Sequence, residues 1–184
     1  EVAPVIEMIN TSISKFKTTI RDLTEITKLQ KEKEDDIGFV DIPEILEEVK
    51  LSIKLVIINS KTTIDTDFNV KQIRFSVKHL RSIIYNLISN AIKYSHPNRT
   101  PHIRISTYVS GDFTVLSVED NGLGMENENK TKIFSMFKRL HDHVEGSGVG
   151  LYIVKKIIDN AGGHIEVDSK VGEGSTFRVY FKNS

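Results

Sequence analysis

The chain has 184 residues, enough for one α/β domain with a full core plus one further element, and short for two complete domains. Lys and Arg total 25, as do Asp and Glu, so no bulk attraction to nucleic acid or to an anionic membrane surface is implied. Cysteine is absent, which excludes disulfides and thiolate chemistry and fits a reducing, intracellular setting. No apolar run approaches the ~20 residues of a bilayer span and no signal-peptide pattern opens the chain, so no membrane contact by this chain is expected.

Helical periodicity begins at once, as in a piece of a longer protein. Residues Val2 to Gln30 read as one helix: Val2, Ile6, Ile9, Ile13, Phe16, Ile20 and Leu23 alternate at spacings of four and three, the a/d seam of a coiled coil or helical hairpin. Such a seam either packs on the chain's own domain or meets a partner helix. The charged run Lys31 to Asp36 and then Gly38 set it apart from the rest of the chain and favour a partner, missing here or supplied by a second copy. Asp41-Ile42-Pro43-Glu44 is a helix start, with Asp41 as N-cap, Pro43 in the first turn and Glu44 at the capping-box position. That helix runs through Val49 to about Leu55. Two short β runs come next, Thr62 to Phe68 and Gln72 to Val77, with Asn69 as the turn residue between them.

Lys78 to Tyr94 is the most informative helix. Leu80, Ile83, Ile84, Leu87, Ile88 and Ala91 make its core face. Asn86, Asn90 and Lys93 are four and three apart, and at ~100° per residue they form one polar stripe about 60° wide. Asparagine is a mediocre helix former, so two of them aligned with a lysine call for a reason. Either the stripe is a solvated face with satisfied amides, or a carboxamide oxygen binds a hard cation with Lys93 near phosphate.

His102 to Val109 and Phe113 to Asp120 are alternating strands joined across Ser110-Gly111-Asp112. The second strand delivers Asp120 to a sheet rim, where a lone carboxylate can accept a hydrogen bond from an amino group such as that of adenine. Gly122 and Gly124 come directly after it, and a second glycine cluster, Gly146, Gly148 and Gly150, opens the helix Gly150 to Asn160. Glycine lets backbone approach a ligand, and a helix N-terminus offers N–H groups to phosphate. Neither cluster alone specifies a site. Together they bracket a charged segment, Glu126 to Glu145, with few apolar anchors, which reads as a mobile lid over a nucleotide pocket. A last hairpin, His164 to Val171 and Ser175 to Phe181, turns around Gly172-Glu173-Gly174.

Four boxes in this order resemble the ATP-binding domain of sensor histidine kinases, within the group that includes DNA gyrase, MutL and the ninety-kilodalton heat-shock chaperone. The stretch Asn86 to Ser95 resembles the N box, Asp120 to Met125 the first glycine box, Ile133 to Leu140 the F box, and Gly146 to Leu151 the second glycine box. The closing Gly172 to Phe177 is also typical. The resemblance covers about Phe39 to Phe181 and implies a two-layer α/β (α+β) sandwich, a mixed sheet on three helices, preceded by one coiled-coil-like helix. Residues 1–36 would be part of a dimerisation and phosphoacceptor hairpin, and 37–184 the catalytic domain.

The resemblance also implies roles. Asn90 would ligate Mg²⁺ bridging the ATP phosphates, with Asn86 one turn away completing the polar wall. Lys93 and Arg139 would approach the phosphates, and Tyr94 the base. Asp120 would receive the adenine amino group, with Gly122 loosening the backbone beside it, Gly124 giving room for the ring and Thr176 beneath it. Gly146, Gly148 and Gly150 would let the lid fold over, and Phe134 and Phe137 would tie it to the core. No P-loop pattern is present. The implied reaction transfers the γ-phosphoryl to a histidine on the hairpin, for relay to a response-regulator receiver domain, in the cytoplasmic part of a dimeric sensor. None of the six histidines has the phosphoacceptor setting. Three other classes share the pocket. A gyrase- or chaperone-type ATPase carries a glutamate base where this chain has Asn86, so slow hydrolysis is expected. A non-phosphorylating nucleotide-binding module and a serine kinase of the same superfamily are distinguished by a transfer assay and, for the latter, by the long helix.

Overall fold

The computed structural model describes residues 37–138 and 147–183, together with nine positions between 5 and 24. Those nine are helical, and the seam residues Ile6, Ile9, Ile13, Phe16 and Ile20 stand 47–68% exposed. The continuous helix expected over Val2 to Gln30, with Val2 and Leu23, lies outside the described residues.

The continuously described stretch opens with a strand, β1 (Ile37–Asp41), where the residue pattern suggests only a separator. Its last residue caps the next element: Asp41 Oδ1 accepts a hydrogen bond from the Glu44 N–H at 3.0 Å, which starts α1 (Ile42–Ser52). Pro43 sits in the first turn, where a missing N–H costs nothing. The expected single helix breaks at Ile53 and resumes as α2 (Lys54–Ser60), which ends on Lys61 at φ 56°. The two β runs, β2 (Thr63–Phe68) and β3 (Gln72–Ser76), do not pair with each other. β3 pairs antiparallel with β1 in a two-stranded ribbon, and β2 joins the main sheet.

Ser76 then caps α3 (Val77–Lys93), whose apolar face is buried as its spacing dictates, from Leu80 to Ile92. Each fully buried aliphatic side chain contributes about 1.5–3 kcal/mol, so the packing of this face outweighs the weak propensity of its two asparagines. β4 (His102–Ser110) and β5 (Phe113–Asp120) form the expected hairpin. After the connector come α4 (Gly150–Asn160), β6 (His164–Lys170) and β7 (Gly174–Lys182). Gly162, at φ +71°, lets the chain leave α4, and the Gly163 N–H returns to the Ile158 carbonyl at 3.0 Å.

The five-stranded sheet runs β2-β4-β5-β7-β6, parallel between β2 and β4 and antiparallel elsewhere. One face carries Ile103, Ile105, Leu116, Val118, Phe177, Val179 and Phe181 into a core shared with α1, α3 and α4. The other face is polar: Arg178 pairs with Asp168, Tyr180 Oη donates to Glu166, and His164 stacks on Tyr180 at 4.1 Å. The result is the two-layer mixed α/β sandwich on three helices that the sequence implied, and it leaves the end of β5 open beside α3 and α4.

Candidate functional site

Because the apolar face of α3 is fixed against the sheet, its flank must face the gap toward α4. Asn86, Asn90 and Lys93 therefore line a cavity of about 940 Å³, together with Tyr94, Asp120, Gly124, Gly148 and Gly150. The two asparagines differ in what they do there. Asn86 Nδ2 donates to the Ser82 carbonyl one turn back at 2.8 Å, and its Oδ1 presses on Gly150, where an added Cβ would lie 2.3 Å away. The Asn90 carboxamide makes no hydrogen bond to any described residue and remains half-buried in the cavity. The Lys93 ammonium lies 5.6 Å from the Tyr94 ring centroid.

At the other end of the cavity, β5 delivers Asp120. Burial pushes its carboxyl up to about 6. The N–H groups of Gly122 and Ser175 and the Arg99 guanidinium pull the other way, and the neighbouring Glu119 adds to the rise. The Gly122 N–H reaches Asp120 Oδ1 at 2.8 Å. Around this carboxylate the backbones are in contact. A Cβ on Gly122 would lie 2.4 Å from the Tyr94 carbonyl, one on Gly124 2.0 Å from the Lys170 carbonyl, and one on Gly174 1.9 Å from the Asp120 carbonyl. Gly124 and Gly174 also sit at φ +64° and +126°, open to glycine alone at no cost. The closest demand on Gly124 is thus from backbone: it lets two loops touch.

The remaining expected residues divide. Gly148, at φ +72°, lines the cavity, and Gly150 is the first residue of α4. Thr176 does not lie beneath the cavity. Strand alternation puts Phe177, Val179 and Phe181 inward, so Thr176 faces the opposite side, opposite Glu119, and Ser175 and Phe177 line the site instead. Phe134 packs partly buried on the core, whereas Phe137 is 53% exposed at φ +61°. The core anchor of the connector is Ile133, buried and also lining the cavity. Arg139 and Gly146 lie outside the described residues, as do His141 and His143. Lys138, which no sequence motif singles out, lines the cavity.

The donor set fits a metal held mainly by its ligand's phosphates. Among the described residues there is no group of three or more His, Asp or Glu side chains that could hold a cation by itself. What the cavity offers is the one uncommitted carboxamide of Asn90 beside a lysine, suited to Mg²⁺ that keeps waters and phosphate oxygens as its other ligands.

Residues 76–184 match the family described as histidine kinase-, DNA gyrase B- and HSP90-like ATPase. The circadian input-output histidine kinase CikA of Synechococcus elongatus is 36% identical over 111 residues, which is 58% of this chain and 14% of CikA. Full-length ShkA in complex with AMPPNP superposes with a TM-score of 0.79 at 21% identity, over 99% of this chain and 39% of that one. ThkA in complex with the response regulator protein TrrA gives 0.74 at 22% identity, over 98% and 51%. The chain spans less than a quarter of the length of the curated relatives it matches. CikA and ThkA are histidine kinases, and this chain belongs to the histidine kinase-, DNA gyrase B- and HSP90-like ATPase family.

Proposed function

We propose that this chain is the Mg·ATP-binding catalytic domain of a two-component sensor histidine kinase, residues 37–184, preceded in 1–36 by part of a dimerisation hairpin. One observation carries the reading. A single cavity holds a half-buried carboxylate, Asp120, at one end and an uncommitted carboxamide with an ammonium, Asn90 and Lys93, at the other. That polarity matches adenine at the first end and a triphosphate at the second, and the cavity volume suits such a ligand.

In this reading the Asp120 carboxylate accepts a hydrogen bond from the adenine amino group, and Tyr94 and Met125 border the base. Asn90 would hold Mg²⁺, which when bound would neutralise phosphate charge. Lys93 and, from the connector, Lys138 and Arg139 approach the phosphates. Asn86 is committed to Ser82 and Gly150, so it shapes the wall and sets the start of α4 instead of acting on a proton. Transfer breaks the bond between the γ-phosphorus and its bridging oxygen and forms a phosphorus–nitrogen bond to an acceptor imidazole, with ADP leaving. The domain contributes position and charge. None of the described histidines lines the cavity, in keeping with an acceptor supplied by a hairpin outside this chain. The half-exposed seam of Ile6, Ile9, Ile13, Phe16 and Ile20 supports a homodimer through that hairpin, and the ThkA complex supports a response-regulator receiver domain as the next acceptor. Among the described residues no helix is long and apolar enough to cross a membrane. A cytoplasmic location belongs to the kinase reading and stands or falls with it.

The experiment is a Mg·ATP titration of this chain beside Asp120→Asn, followed by transfer to a separately supplied phosphoacceptor hairpin. Saturable, Mg²⁺-dependent binding that the substitution removes, and then label on the hairpin histidine, is the expected result. Binding without transfer would move the assignment to a non-phosphorylating module.

A further inference from the structure

Between α3 and β4 the chain makes a tight turn, His96-Pro97-Asn98-Arg99, closed by the Arg99 N–H on the His96 carbonyl at 3.1 Å. Pro97 presets the backbone at the second position of the turn, and the Asn98 N–H donates to His96 Nδ1 at 3.2 Å. The turn projects Arg99 inward. Its Nη2 donates to two carbonyls far apart in sequence, Gly122 at 3.0 Å and Gly172 at 2.7 Å.

Those two carbonyls belong to the loops on either side of Asp120. The polar backbone groups of Gly122 and Leu123 are all accounted for: the Gly122 N–H goes to Asp120, the Gly122 carbonyl to Arg99, the Leu123 N–H to Tyr94 at 2.9 Å, and the Leu123 carbonyl to Gly172 at 2.7 Å. Beyond Gly172, Gly174 lays its α-carbon against the Asp120 carbonyl. A single guanidinium nitrogen thus ties the loop that donates to the carboxylate to the turn that backs it. Arg99 Nε is buried with no hydrogen-bond partner, a cost that the two charge-assisted contacts offset.

We propose that Arg99 is a positioning residue for the base-recognising carboxylate: by bridging the Gly122 and Gly172 carbonyls it holds the two loops that present Asp120 to the cavity. The proposal rests on the nucleotide reading of that cavity. Arg99 also acts through charge. Among the described residues the other charged groups facing this site are Glu119 beside Asp120 on β5, Lys130 and Lys138 from the connector, Asp168, Lys170 and Glu173 from the β6–β7 hairpin, and Lys78, Arg81 and Lys93 from α3 along the cavity. Arg99 favours the ionised carboxylate and Glu119 opposes it.

The test is Mg·ATP affinity of this chain measured calorimetrically from about pH 5 to about pH 8 for the unsubstituted protein, Arg99→Met and Arg99→Lys. The unsubstituted chain should lose affinity on acidification through about 6. Arg99→Met should bind roughly tenfold more weakly at the upper end and show its acid midpoint moved upward. Arg99→Lys, which keeps the charge and loses the two-carbonyl bridge, should keep the midpoint and remain several-fold weaker. A residue that only packs would lower thermal stability without moving the midpoint. Folded Arg99→Met with unchanged affinity and midpoint overturns the proposal and leaves the nucleotide reading intact. Where Arg99→Met does not fold, Arg99→Lys decides: unchanged affinity overturns the proposal, weaker binding at an unchanged midpoint supports it. No Mg·ATP binding by the unsubstituted chain overturns the nucleotide reading and this proposal together.

Discussion

The two glycine clusters look alike in the sequence and are constrained by different things. At the first, and at Gly174 opposite it, a Cβ would strike backbone: the carbonyls of Tyr94, Lys170 and Asp120. At the second, Gly150 meets the side chain of Asn86, an amide on a rotatable bond. Backbone held at a strand or helix end yields little, whereas a side chain can turn away. The end of the cavity around Asp120 is therefore built as a fixed frame, and the end at α4 as an adjustable fit between two helices. In a site that recognises a base and then handles phosphates, the base end benefits from rigidity and the phosphate end from latitude.

Four substitutions break or sharpen that contrast. The largest effect is expected for Gly174→Ala, which combines φ +126° with a contact of 1.9 Å to the Asp120 carbonyl. It should cost about 3 kcal/mol or more in urea unfolding and abolish Mg·ATP binding; stability within experimental error of the unsubstituted chain would refute the fixed frame. Asp120→Asn comes next and works in the opposite sense. Between the ordinary carboxyl value of 3.8 and about 6 the folded chain holds the Asp120 proton while the unfolded chain has released it. Folding takes up a proton there, so stability falls as pH rises across that window. Asp120→Asn should remove this slope and be more stable above it by about 2 kcal/mol, while losing nucleotide. Urea midpoints at both ends of the window check the sign, and parallel pH profiles for the two proteins would contradict it.

Gly150→Ala should cost about 1–2 kcal/mol alone and much less in an Asn86→Ala background, a coupling of about 1 kcal/mol read from a double-mutant cycle. Additive effects would mean that Asn86 does not yield. The smallest effect belongs to Arg104→Met, which removes an exposed pair with Asp67 between β4 and β2, neither of which lines the cavity. Its change in stability should stay within about 0.5 kcal/mol, with nucleotide affinity unmoved.

Much of this was legible in the residues. The α3 core face, the Asp41 cap, the β4–β5 and β6–β7 hairpins and the placement of Asp120 at a strand end all follow from periodicity and turn chemistry, which are local. The pairing partners of β2 and β3 were not, because register in a sheet is a long-range choice. β1 was hidden by the charged run before it and by Gly38 within it. The misplacement of Thr176 was avoidable: Phe177, Val179 and Phe181 already put odd-numbered residues inward, and the same alternation selects Ser175. Arg99 left no trace, since its partners are carbonyls 23 and 73 residues away and a carbonyl has no sequence signature.

The short ribbon of β1 and β3 has a mechanical consequence. Its first pair is Ile37 with Ser76, and Ser76 is the cap of α3; its last pair is Asp41 with Gln72, and Asp41 is the cap of α1. The point where the chain enters the domain is thus stitched directly to the starts of two core helices, one of which carries Asn86 and Asn90. The caps of α1 and α3 share one two-stranded clamp, so loosening the ribbon at Ile37 would slacken the starts of both helices together.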